Sequence, residues 1–168
     1  MKYVSHHVRG FTLIELLVVF SIIAVISTVT LASFSNFSKA SAVKQTSAQL
    51  ASFFNDAKSR SLSQVKPSSC AGSLGGYVVD ICITAGSGCT YPDSYKMSVV
   101  CSGVKTDLAP PLVKRLPTNM HFSSTGTTST SYRFNLLTGG VTGAGSVAIT
   151  GNGSTLTLTV SQVGSVTY

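Results

Sequence analysis

Charge is scarce in this sequence, and negative charge most of all. Charged residues fill 10% of the 168 positions, and the acids are Glu15, Asp56, Asp80, Asp93 and Asp107 alone. With 43% hydrophobic residues and a mean hydropathy of +0.36, the chain is too apolar to stay disordered and too poor in charge for an ordinary soluble protein. Helix breakers are missing over a long stretch: from Phe11 to Lys66 there is neither glycine nor proline, so nothing there forces a helix to stop. There is no Cys-x-x-Cys, and beyond the apolar N-terminal block His121 is the one histidine, which argues against zinc. Gly139-Gly140 and Gly143-Ala144-Gly145 lack the lysine and the strand–helix context of a phosphate loop, and the aspartates lack calcium-loop spacing. No catalytic constellation is present, so neither an enzyme, a cofactor nor a metal is expected.

What is there is unevenly spread. The length suits one domain with an appendage. Met1–Gly10 holds Lys2, His6, His7 and Arg9 and no acid, a flank that stays on the cytoplasmic side of a membrane. Phe11–Phe34 is a nearly unbroken apolar block of 24 residues. As a helix it is about 36 Å long, enough to cross a hydrocarbon core of roughly 30 Å. A secretory signal has a shorter apolar core followed by its small-residue cleavage site. Here the small residue, Gly10, precedes the block, so a cut there leaves the apolar helix on the mature chain.

Glu15 is the one ionisable residue inside the block. A carboxylate in an apolar span costs a few kcal/mol. The plain reading is a side chain close enough to the helix end to reach the interface. A sharper reading starts from its spacing: after a cut behind Gly10, Phe11 carries a free α-amine and Glu15 lies one turn further along the same face. A neighbouring helix, displaced along its axis, then pairs its own amine with this carboxylate, which makes Glu15 a register device for stacked helices.

The run Gly10-Phe11-Thr12-Leu13-Ile14-Glu15-Leu16-Leu17-Val18-Val19 resembles the cleavage and N-methylation motif of type IV prepilins and type II secretion pseudopilins. The resemblance implies cleavage between Gly10 and Phe11 by a prepilin peptidase, methylation of the Phe11 amine, and an inter-subunit contact at Glu15. It also implies other pilin or pseudopilin subunits and an inner-membrane assembly platform as partners. The implied location is single-pass in the inner membrane, N-terminus cytoplasmic and head periplasmic, and a pilus or pseudopilus after assembly.

Beyond Phe34 the pattern turns amphipathic: Phe37, Ala40, Val43, Ser47, Leu50, Phe54, Ala57 and Ser61 recur at spacings of three and four. Such a stripe is core. The expected segments are a leader at 1–10, a membrane-spanning and assembly half of one helix at 11–34, its amphipathic half at 35–66, and a β-rich head at 67–168. Expected strands are Gly76–Thr84, Tyr95–Cys101, Met120–Phe122, Tyr132–Leu136, Ser146–Thr150 and Ser154–Ser161, with Val163–Thr167 as a last edge. Gly151-Asn152-Gly153 marks a hairpin turn, and the proline-rich Asp107–Pro117 reads as a loop or edge. The fold class is α+β, a long N-terminal helix packed on an antiparallel sheet, as in type IV pilins. Cys70, Cys82, Cys89 and Cys101 read as two disulfides in a translocated domain, with three pairings open.

The head is similar to the GspH/FimT branch of minor pilins. The likeness rests on Leu50–Arg60, on Val79-Asp80-Ile81-Cys82 running into the loop to Cys89, on Tyr132-Arg133-Phe134, and on Leu158-Thr159-Val160-Ser161. It implies the pairs Cys82–Cys89 and Cys70–Cys101. In FimT-like competence pilins an arginine-bearing motif after the final glycine is associated with DNA binding; here that place reads Gly164-Ser165-Val166-Thr167-Tyr168. The part beyond Phe34 still carries ten Lys/Arg against four Asp. A basic surface permits anionic partners without demanding them, and diffuse charge serves solubility. DNA capture through Lys96, Lys105, Lys114, Arg115 and Arg133 is therefore the second reading, behind a structural fibre subunit.

Overall fold

The computed structural model describes residues 10–168 apart from 87 and 129, and apart from the side chains of 28–36. Of the leader expected at 1–10, residues 1–9 lie outside the described part. The chain forms two compact units, Met1–Ser38 and Lys39–Tyr168.

Helix α1 runs Leu13–Leu62, with Glu15 in its first turn and Arg60 in its last, each where the helix dipole favours its sign. Its stop is local chemistry. Gln64 takes φ 50°, and the Val65 N–H donates to Arg60 O at 3.2 Å, the six-to-one bond of a Schellman end. Pro67 follows. The helix, expected to run to about Leu62, ends there, inside the 35–66 segment of its amphipathic half.

In the first unit, the large apolar residues between Phe11 and Ile26 are all exposed, at 47–85%. Among the described residues, no helix is long and apolar enough to cross a membrane. The described side chains of the apolar block stop at Ser27, so the span expected over Phe11–Phe34 is not carried by them.

In the second unit, α1 lays its stripe on two antiparallel sheets. Val43, Ser47, Leu50, Phe54, Ala57 and Ser61 are buried, whereas Phe37 is 73% exposed and Ala40 is exposed. The core stripe therefore begins at Val43, because Phe37 falls in the first unit. The strands are β1 Leu74–Cys82, β2 Ser94–Cys101, β3 Val104–Arg115, β4 Met120–Ser123, β5 Ser131–Phe134, β6 Val141–Thr142, β7 Gly145–Gly151, β8 Ser154–Val160 and β9 Val166–Thr167. One sheet has the order β3-β2-β1-β5-β6 and the other β4-β7-β8-β9.

Alternation decides which residues meet the helix. Tyr77, Val79 and Ile81 of β1 and Tyr95, Met97 and Val99 of β2 enter the core, while their neighbours face the other side of the sheet. Phe54 sits edge-on to Tyr132 at 5.0 Å, and Phe53 edge-on to Tyr95 at 4.9 Å, a favoured aromatic geometry. The Tyr77 hydroxyl donates to Val65 O at 2.6 Å, tying the helix exit to β1; burial pushes this phenol's pKa up. Between the sheets, the Tyr132 hydroxyl donates to Ser146 O at 3.2 Å.

Asp107–Pro117, read as a loop or edge, lies largely in the edge strand β3. Met97 opposes Leu112 while Ser98 opposes Asp107, so Leu108–Pro111 bulges out of register and accommodates both prolines. The β7–β8 turn places Asn152 and Gly153 at φ 53° and 79°, the two left-handed residues of a type I′ hairpin. Disulfides join Cys70 to Cys101 and Cys82 to Cys89, with Cα–Cα distances of 5.5 and 5.7 Å.

Phe54 is fully buried at the centre of this core. Phe54→Ala is expected to destabilise the chain by about 3–5 kcal/mol, read as a lower denaturant midpoint in detergent-solubilised protein.

Candidate functional site

Gly10, Phe11 and Thr12 precede the helix without regular structure. Gly10 is exposed with open space where a Cβ would stand, and Phe11 is 81% exposed. The Gly10–Phe11 peptide bond thus lies in non-helical, accessible chain, the condition for a protease to engage it.

Thr12 then caps α1. Its Oγ1 accepts from the Glu15 N–H at 3.3 Å, and its carbonyl accepts from the Leu16 N–H at 3.2 Å. Thr12-x-x-Glu15 has the spacing of a capping box, and the Thr12 half of it is formed. This was legible in the sequence as a Ser/Thr three residues before a Glu, a signal hidden by the attention Glu15 draws as an apolar-span anomaly. Glu15 has a local role as a result: it is the acid in the first turn, where the backbone N–H groups are unpaired and the dipole is positive. Hydrolysis behind Gly10 adds a positive amine at that same end, and Glu15 is then the nearest anion along the chain for two like-signed charges.

In the head, the five basic residues considered for DNA do not form one patch. Lys96 lies opposite Asp80 on β1, and Arg133 opposite Val78, which places both on the sheet face away from the helix. Lys114 lies opposite the buried Tyr95 and lines a groove with Asp56 and Gln49 on the other face. Arg115 stacks its guanidinium on the Tyr91 ring at 3.9 Å, a cation–π contact. Lys96 Nζ donates to Asp107 at 2.9 Å, Lys105 Nζ to both Asp80 oxygens at 3.1 Å, and Arg133 to Gly75 O at 3.0 Å. Three of the five are held by partners of their own sheet.

The acids of this network, Asp80 and Asp107, had no role in the sequence reading. The signal was present: Asp80 is a lone acid in the otherwise apolar strand β1. The hydrogen bond from Lys96, then that from Ser98, holds the Asp107 carboxyl below the usual carboxylate range. His121 places Nδ1 2.7 Å from Asp93 Oδ2, and the same carboxylate accepts the Phe122 N–H at 2.9 Å.

A folded-state pKa below the unfolded value of about 3.9 means that the stability from Asp107 is present above that pH. It is lost as pH falls through the folded pKa. Asp107→Asn is therefore expected to lower the thermal midpoint at neutral pH. The gap from wild type should shrink steadily below about pH 4, as melts across pH would record.

Residues 5–31 match the family model described as the prokaryotic N-terminal methylation motif. No curated protein and no solved structure matches the chain. The motif at its N-terminus is that of type IV prepilin-like precursors.

Proposed function

We propose that the chain is the precursor of a minor pilin or pseudopilin, a structural subunit of a type IV pilus or type II secretion pseudopilus. The observation that carries this is the junction at Gly10 and Phe11: an open peptide bond, a threonine cap and one carboxylate, set directly before an uncovered apolar helix. A prepilin peptidase cuts behind Gly10 and methylates the Phe11 amine. The apolar half of α1, Phe11–Phe34, holds the subunit in the inner membrane and packs among its neighbours after assembly, with Glu15 pairing to a neighbour's amine. The α+β head, of the GspH/FimT kind, faces the periplasm. The helix satisfies its backbone groups by its own hydrogen bonds, which leaves its apolar side chains to pack against lipid or neighbouring helices. DNA capture is the weaker reading, since Lys96, Lys105 and Arg133 are engaged within the sheet.

Co-expression with a prepilin peptidase tests the reading by intact mass and N-terminal analysis. The expected product starts at N-methylated Phe11; one that keeps Met1–Gly10 contradicts the proposal. Glu15→Ala is expected to be processed yet to stay out of sheared fibres, whereas Thr12→Ala frays the helix start but retains the carboxylate and still assembles. If Glu15→Ala enters fibres at the wild-type level, Glu15 makes no assembly contact; if the wild-type chain is itself absent from fibres, the helix is a membrane anchor and nothing more.

A further inference from the structure

A cleft of about 530 Å³ opens beside the Cys82–Cys89 loop, within the usual size range of small-molecule sites. Its floor is the helix-averted face of β1 and β2, with Asp80 and Lys96 side by side. Lys105 reaches in from β3, and Thr84, Thr130 and Ser131 line the walls.

The hydrogen-bond inventory shows which of these groups are spent. Asp80 receives Lys105 on both oxygens at 3.1 Å, Ser131 at 3.0 Å and, at the limit of reach, Ser98 at 3.5 Å. Its acceptor capacity is full, so Asp80 positions its neighbours and takes no ligand. The cations are less complete. An ammonium has three protons. Lys96 directs one to Asp107 at 2.9 Å, and no other acceptor meets this group among the described residues, although its side chain is only 12% exposed. Lys105 uses two on Asp80 and keeps a third. The Lys105 side chain is 47% exposed, so the spare protons face the open cleft, where water or a ligand oxygen accepts them. What the cleft offers a ligand is therefore hydrogen-bond donors.

Charge narrows the ligand further. Lys96 and Lys105 are each matched by a carboxylate, so the cluster is neutral and gives a further full charge of either sign little attraction. The wall hydroxyls both donate and accept, and Ile83 and Ala85 add an apolar rim. Unfilled donors, balanced charge, two-way hydroxyls and an apolar edge suit a neutral polyhydroxyl ring. We propose that this cleft binds a neutral saccharide. Its oxygens accept from Lys96 and Lys105, and its hydroxyls exchange hydrogen bonds with Thr84 and Thr130, while Ser131 gives its proton to Asp80. The site lies in the head and is independent of how the N-terminus is processed.

The test uses the full chain in a detergent without a sugar headgroup, titrated with glucose, galactose, N-acetylglucosamine and maltose and followed by proton–nitrogen NMR. Saturable shifts at Lys96 and the Cys82–Cys89 loop are expected with at least one sugar, at a Kd of about 1–10 mM. Lys96→Met should weaken binding about tenfold. Thr130→Val, which touches no ion pair, should weaken it by roughly threefold with an unchanged thermal midpoint. Thr130→Val keeps the test decisive should Lys96→Met fail to fold. Silence with all four sugars, wild-type affinity in Thr130→Val, or tighter binding of glucuronate or inorganic phosphate than of glucose would each overturn the proposal.

Discussion

An apolar helix surface, exposed among the described residues, sets the terms for the N-terminal unit of this molecule. From Leu13 to Ile26 the large side chains are exposed on every face of α1. At roughly 25 cal/mol per Å² of apolar surface, water is the wrong medium for such a rod. A cover of lipid or of other apolar surface is favoured over water. The remaining features at that end follow from this preference. The backbone is satisfied inside the helix, the start is capped by Thr12, and Glu15 lies in the first turn where the dipole compensates it.

Farther along, the same unbroken helix becomes a core element, and the change needs no breaker. From Val43 the side chains of one stripe meet Tyr132, Phe134 and their neighbours, and the solvent stripe turns polar. That division was legible because helix periodicity survives in the sequence. Its starting point was not, since Phe37 continues the spacing and yet is exposed; period alone does not say where the covering sheet begins. The strands with alternating residues and the Asn-Gly hairpin were readable for the same reason. By contrast, β6 has two residues and no pattern to read, and β3 was obscured by prolines that the bulge accommodates. Long-range pairing of polar groups was the least legible. Lys96 and Lys105 look free in the sequence, and only strand register shows which aspartate each one meets.

The scarcity of acid acquires a meaning in the head, where each aspartate is employed. Asp56 holds Arg60, Asp80 holds Lys105 and Ser131, Asp93 holds His121 and the Phe122 amide, and Asp107 holds Lys96. Three of these six contacts join different strands, and the two made by Asp93 tie the loop before β2 to β4. Exposed ion pairs of this type contribute little singly. The nearly buried Asp80 is different, because removing its partners would leave a charge in a poor solvent. The net positive charge is what remains after these structural assignments, which accounts for its lack of a coherent patch.

The bond between Cys70 and Cys101 also has a mechanical side. Tension drawn along α1 is met first by its packing on the sheets from Val43 to Ser61; beyond that the chain runs through seven residues, 63–69, to a covalent link at the end of β2, an inner strand. Peeling of the chain from its helical end is arrested there. To go further, a pull would have to shear β2 from β1 and β3 along their length, loading many hydrogen bonds in parallel instead of opening them one after another.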